Sequence, residues 1–352
     1  GRPNMHGRNI FKMTDSAVRI GLVGYGVIGK FHLDLWAKTE GVKVVAVCDV
    51  IPERAQEAAE LAGAKAYTDY TEMLNHDGLD AVDICTPSGM HAQQGIKAAE
   101  LKLHVLTEKP IDIDLVKVDK LIETAKANNV KLACIFQYRV SPEALRAKQL
   151  IDEGKLGKII SCSTYVKWWR DQNYYDTAEW RGTWALDGGV LSNQAIHSID
   201  QLCYLCGPVA EVEWARIATL ARNIEAEDFG MAVLRYENGA IGVIEATTCS
   251  YPGMTTRTEI YGEKGSATFE GPNLATFKVL GEEIDIVGES AKADGRDDPK
   301  AIALTGHGYQ LQDFVDAIRE DRDPVVTGRE ARMSVDALTK IYRKAGAPKL
   351  GT

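Results

Sequence analysis

Residue types able to do chemistry concentrate in three places along the chain. Gly24-Tyr25-Gly26-Val27-Ile28-Gly29 follows the apolar run VRIGLV and precedes a helical pattern. In that setting Gly24 permits a tight turn, Gly26 lets a pyrophosphate approach the backbone, and Gly29 brings helix against strand, so that the positive helix amino terminus meets the phosphates. Asp49 ends the next apolar run, where a carboxylate meets the hydroxyls of an adenosine ribose. Its charge repels a 2′-phosphate, which makes NAD the expected cofactor over NADP. Arg54 is near enough in sequence to keep NADP open. The second place joins Thr86-Pro87-Ser88-Gly89-Met90-His91 with Glu108-Lys109-Pro110. Each follows a strand-like run, at the carboxyl end where open α/β sheets bind ligands. The third is Asn193, His197 and Asp200, spaced i, i+4 and i+7 on a helix expected from about Gly189 to Leu205. They share one face, with Leu191, Ile199 and Leu202 available to the core.

The elements that must position these residues are legible in outline. From Val18 to about Gln137, near-continuously apolar runs alternate with helical patterns, which predicts a doubly wound parallel sheet covered by helices, a Rossmann domain over residues 14–138. Beyond Arg139 the rhythm changes. Several β-rich segments between about Val209 and Val287, with turns at Glu237-Asn238-Gly239 and Gly262 to Gly265, predict a large, mostly antiparallel sheet. Residues 139–352 are therefore expected to form an α+β substrate-binding and oligomerisation domain, whose two closing helices, YQLQDFVDAIRED and REARMSVDALTKIYRKA, can pack back on the first. Residues 1–13 show no periodicity and are read as an arm or added segment outside the fold.

Composition narrows the function. The 352 residues are 45% hydrophobic and 26% charged, ample for two domains. A formal net charge of −9 disfavours nucleic acid and anionic membrane as partners and favours a small molecule. No run approaches the roughly 18 apolar residues of a membrane span, and no cleavable leader is evident, so a cytoplasmic enzyme is expected. The seven cysteines are an odd set in apolar surroundings, suited to a reducing compartment. Cys203 and Cys206 form a C-x-x-C pair without a second ligand pair, so core packing is expected there and no metal site.

Three segments, VGYGVIG, ICTPSGMHAQQGIKAAELKLHVLTEKP and GGVLSNQAIHSID, resemble in order and spacing the Gfo/Idh/MocA oxidoreductases, which include glucose-fructose oxidoreductase and inositol dehydrogenase. The likeness runs over nearly the whole chain, and E-K-P is its most specific mark. It implies an NAD-dependent dehydrogenase that oxidises a secondary alcohol of a sugar, sugar acid, cyclitol or nucleotide sugar, with Lys109 directed at the reacting oxygen. A desolvated lysine can lose its proton more readily and polarise a carbonyl oxygen while hydride moves to the nicotinamide. In this family the Lys-Pro bond is often cis, which Pro110 permits. The resemblance also makes His197 the acid/base partner of Lys109. An aspartate often stands where this chain has Asn193, and an amide cannot accept a proton, so Asn193 is expected to orient substrate while Lys109 and His197 handle the proton. Homodimers or homotetramers are usual in the family.

The loop YVKWWRDQNYYDTAEWRGTWALDGG carries Trp168, Arg170, Tyr174 and Arg181 as candidate substrate contacts, since aromatic faces pack on sugar rings and arginines pair with carboxylates or phosphates. A structural plug or subunit contact is the alternative. Gln137, at the domain junction, is a candidate for the nicotinamide side, and His307, which opens a closing helix, is read as a helix-start residue ahead of the alternative that it reaches the cleft. Two other functions share this fold: an NAD-dependent glycosidase that oxidises its sugar transiently, and a non-catalytic dinucleotide-binding sensor.

Overall fold

The computed structural model describes residues 16–286 and 306–350. Residues 1–13, read above as an arm, lie outside them. The first half is an alternating chain: β1 (Val18–Val23), α1 (Val27–Trp36), β2 (Val42–Cys48), α2 (Pro52–Ala62), β3 (Lys65–Tyr67), α3 (Tyr70–Leu74), β4 (Ala81–Ile84), α4 (His91–Glu100), β5 (His104–Thr107), α5 (Leu115–Ala127) and β6 (Leu132–Cys134). Its strands are parallel, in the order β3-β2-β1-β4-β5-β6. Helices cover both faces, so Ile20, Leu22, Val82 and Ile84 lose all contact with water and the strands tolerate almost no polar residue. The order reverses between β1 and β4, opening a crevice at the carboxyl ends of those two strands.

The second half continues with α6 (Pro142–Asp152), β7 (Ile159–Lys167), α7 (Gln172–Asp176), α8 (Val190–Asn193), α9 (Ile196–Cys206), β8 (Val209–Ala218), β9 (Phe229–Tyr236), β10 (Ile241–Thr247), β11 (Arg257–Gly262), β12 (Gly265–Glu270), β13 (Asn273–Val279), α10 (His307–Glu320) and α11 (Gly328–Ala345). Seven strands form the order β13-β12-β11-β7-β10-β9-β8, antiparallel except for β7 beside β10. That parallel pair requires a long crossover, which α7 to β9 supplies. Alternate residues of β7 and β9 are buried, with α9 packed on β7, α8 on β9, and α11 on β8 and α9. α10 returns to the first sheet, where Leu311, Phe314 and Val315 share a core with Ile20, Leu22 and Trp36.

The helix expected as one piece from Gly189 to Leu205 is two. Between α8 and α9 the Ala195 amide reaches past its regular partner to the Val190 carbonyl, at 2.8 Å, a wide turn that admits an extra residue. The regular-helix spacing linking Asn193 to His197 and Asp200 therefore does not hold across this point.

Candidate active site

The chain passes from β1 to α1 through the glycine loop. Gly24 has a φ of +89°, and a Cβ there would lie 2.8 Å from the Cys85 carbonyl. A Cβ on Gly29 would come within 2.0 Å of the Gly24 carbonyl, whereas one on Gly26 would meet open space. α1 has no side-chain cap and no acidic residue in its first turn, so its leading amides are left for an anion from outside the chain. Asp49 is almost fully buried beside this loop and accepts hydrogen bonds from the amides of Tyr25 (2.7 Å) and Ile51 (2.9 Å). A carboxylate has room for about four hydrogen bonds, so two remain for ribose hydroxyls. Val27 and Val50 are four-fifths exposed, leaving apolar surface around the loop, while Ile28 is half-buried and Arg54 exposed. The loop and Asp49 fit a dinucleotide on these grounds.

Residues after β4 and β5 divide into braces and reactive groups. The Thr86 hydroxyl donates to the Gln94 side-chain oxygen (2.5 Å), and Ser88 is buried in the short turn after Pro87. His91 is buried, with Nδ1 2.8 Å from the Pro110 carbonyl and Nε2 2.8 Å from the Thr86 carbonyl, so it staples the two loops together. Glu108 is committed as well: Oε2 accepts from the Lys109 amide (3.0 Å), while Oε1 meets Nε2 of His32 (2.9 Å) and of His307 (3.0 Å). Burial opposes the Glu108 charge, but the two histidines hold its carboxyl well below the usual range. His32 lies between Glu108 and Asp83, at 2.8 Å from the latter, and although burial alone would lower it, Asp83 and Cys85 raise it well above an ordinary histidine. The sequence reading named Glu108 and His307 singly but not the His32–Glu108–His307 cluster, because its members are distant in the chain; Asp83, a charge inside an apolar strand, was a further visible signal. The cluster's ligand atoms, like those of His32, Asp83 and Cys85, are close enough together to surround a metal ion.

The Lys109–Pro110 peptide is cis, and Lys109 Nζ donates to the Asn193 carbonyl at 3.1 Å, bringing the second and third constellations together. Burial lowers the Lys109 amine, against the opposing pull of Glu108 and Asp187. His197 is also buried, and burial, then the Lys109 charge, hold it well below an ordinary histidine, so it is neutral at pH 7. Its Nδ1 is buried without a partner, and its ring stacks on Tyr138 at 5.1 Å. Gln137 also keeps a buried, unpartnered Oε1. Asp200 does not join this group. It is fully buried and bound bidentately by Arg139, at 2.7 Å through Nε and 2.7 Å through Nη2, which leaves it as a brace between α9 and the turn after β6 rather than a substrate contact. Sequence reasoning missed Asp187, which takes the Asn193 amide at 2.5 Å.

The aromatic loop reaches the same place. Arg181 lies over the Tyr174 ring at 4.5 Å and donates to its hydroxyl at 2.8 Å; the Gln194 amide donates to that hydroxyl at 3.3 Å. Arg170 sits over Trp168 at 5.1 Å, and the Trp168 indole donates to Thr256. Neither arginine has a carboxylate within ion-pair distance among the described residues. No helix among them is long and apolar enough to cross a membrane.

Residues 18–136 match the family model described as "Oxidoreductase family, NAD-binding Rossmann fold", and residues 144–268 match "GFO/IDH/MocA C-terminal domain". The crystal structure of the WlbA dehydrogenase from Bordetella pertussis, in complex with NADH and UDP-GlcNAcA, is 35% identical, with a TM-score of 0.87 over 95% of this chain and 96% of that one. Levoglucosan dehydrogenase from Pseudarthrobacter phenanthrenivorans is 30% identical over 72% of this chain and 73% of its own length. The NAD(+)-dependent scyllo-inositol 2-dehydrogenase of Bacillus subtilis is 28% identical over 93% of this chain and 94% of its own.

Proposed function

The chain belongs to the Gfo/Idh/MocA oxidoreductases and is an NAD-dependent enzyme of that family, and on that premise we propose that it oxidises a secondary alcohol of a nucleotide-linked sugar acid, of the UDP-GlcNAcA type. The observation that carries the chemistry is the meeting of Lys109, Asn193 and neutral His197 beside the glycine-loop crevice. NAD, when bound, supplies the acceptor for the hydride that leaves the carbinol carbon. The alcohol proton must leave at the same time, and neutral His197, with its ring fixed by Tyr138, is the group able to take it. Lys109 then offers positive charge to the oxygen that becomes the carbonyl. Asn193 and Gln137 orient the sugar and the nicotinamide through their side-chain amides.

The nucleotide-sugar part of the reading has two supports. The structural match to a dehydrogenase holding UDP-GlcNAcA spans nearly both chains. Arg170 and Arg181, stacked on aromatic rings and lacking carboxylate partners among the described residues, offer positive charge to a uronate or pyrophosphate. The test is NADH absorbance with NAD and a panel of UDP-GlcNAcA, free sugars, sugar acids and inositols. NADH formation with the nucleotide sugar acid in preference to the neutral polyols supports the reading, and preference for an inositol or an unlinked sugar overturns it. NAD that stays bound through desalting, with no net NADH from any compound, moves the glycosidase or sensor reading ahead.

A further inference from the structure

Asn193 stands at the centre of the proposed site and carries no charge, yet its amide nitrogen is held by the carboxylate of Asp187, six residues earlier, at 2.5 Å. Asp187 is 3% exposed. Its other oxygen accepts from the Gly182 amide at 2.7 Å, and its carbonyl accepts from the Ser192 hydroxyl at 2.7 Å, so the carboxyl lies between the aromatic loop and α8. No described group donates to Asn193 Oδ1. An ionised carboxylate only accepts, so the amide must turn its nitrogen toward Asp187 and its oxygen away, as an acceptor for a substrate hydroxyl.

We propose that Asp187 is a positioning residue for the dehydrogenase reaction: it fixes the Asn193 amide in one orientation and places a negative charge beside Lys109 that holds this lysine's proton. The inference rests on the dehydrogenase reading. Charges facing Asp187 come from Lys109 after β5, Arg181 in the aromatic loop and Glu227 before β9; those facing Lys109 are Glu108, Asp187, Cys134 and Arg181, with His197 on α9 sensing Lys109 in turn. Burial raises the Asp187 carboxyl to about 6, so the group loses its charge only at mildly acidic pH. Once protonated it can donate, and the amide is no longer restricted to one orientation.

Two measurements on the full chain test this. Competitive acetylation of Lys109, followed by peptide mass across pH, reads the lysine's titration without substrate or turnover. Asp187→Asn is expected to lower the midpoint by roughly one pH unit, because a neighbouring negative charge is gone. In steady-state assays Asp187→Asn is expected to lower kcat roughly 100-fold with little change in the KM for NAD. The exchanged pair Asp187→Asn with Asn193→Asp restores a carboxylate and an amide across the same hydrogen bond and is expected to recover most of that loss. A carboxyl that merely holds the Gly182 turn would move neither the acetylation midpoint nor the rescue. An unchanged midpoint, or an exchanged pair that folds and is no more active than Asp187→Asn alone, overturns the inference. Failure of every sugar to yield NADH would sink the dehydrogenase reading instead, with the acetylation result still deciding whether Asp187 sets the Lys109 charge.

Discussion

The glycine-loop crevice and the Lys109 centre lie close together and are built in opposite ways. The crevice is made from backbone: a run of six residues, uncapped amides at the start of α1, and glycines whose missing side chains leave space. The Lys109 centre is made from side chains delivered by distant segments, the end of β5, the aromatic loop, α8 and α9, and its properties depend on burial and neighbouring charge. A backbone site is therefore sensitive to added volume, whereas a side-chain site is sensitive to lost or moved charge.

That contrast can be broken in graded steps. Lys109→Ala is expected to lower turnover by at least about a thousandfold while leaving NAD binding, measured by NADH fluorescence titration, nearly intact. Equal loss of both would erase the distinction between the regions. Gly29→Ala should do the reverse, because its Cβ meets the Gly24 carbonyl. It is expected to weaken NAD binding and cost about 1–3 kcal/mol of stability, read by denaturant unfolding, while kcat at saturating NAD changes far less.

A subtler step separates stability from activity. Burial raises Asp187 from 3.8 to about 6 and Glu227 from 4.5 to about 7, so the folded state prefers both protonated. Their contribution to stability is thus present below the unfolded values and is lost as pH rises through about 6 and 7. Asp187→Asn is accordingly expected to raise the unfolding midpoint at pH 7.5 by about 1–3 kcal/mol equivalent, with the gain vanishing near pH 4, even as activity falls. Thermal melts across pH check this, and a variant less stable than wild type at pH 7.5 contradicts it. The smallest effect belongs to the rim. Arg181→Gln should raise the KM for an anionic sugar about tenfold, near 1.4 kcal/mol, without affecting a neutral polyol.

Much of the first region was legible because its determinants are contiguous. The run from VRIGLV through Gly29 places strand, turn and helix together, and no distant residue is needed to recognise it. Lys109 and His197 were found through the family's motifs, and the structure places them near one another. Other features were hidden. Asp200 and His91 have the right type and spacing for ligand contacts, yet Arg139 occupies one and two backbone carbonyls the other. The wide turn at Ala195 changes the helix phase between Asn193 and His197, and nothing in the apolar pattern marks it.

Sequence alone therefore determined the parallel sheet and the dinucleotide loop, since these depend on periodicity and on residues adjacent in the chain, while Lys109 and His197 were singled out by resemblance to the family. Tertiary structure decided which polar groups are free to act. Whether His197 is neutral, whether Glu108 is a brace, and whether Asp187 holds Asn193 all follow from burial and from partners up to 199 residues away, and a hydrogen bond or a desolvation cost exists only when the chain has brought its two ends together.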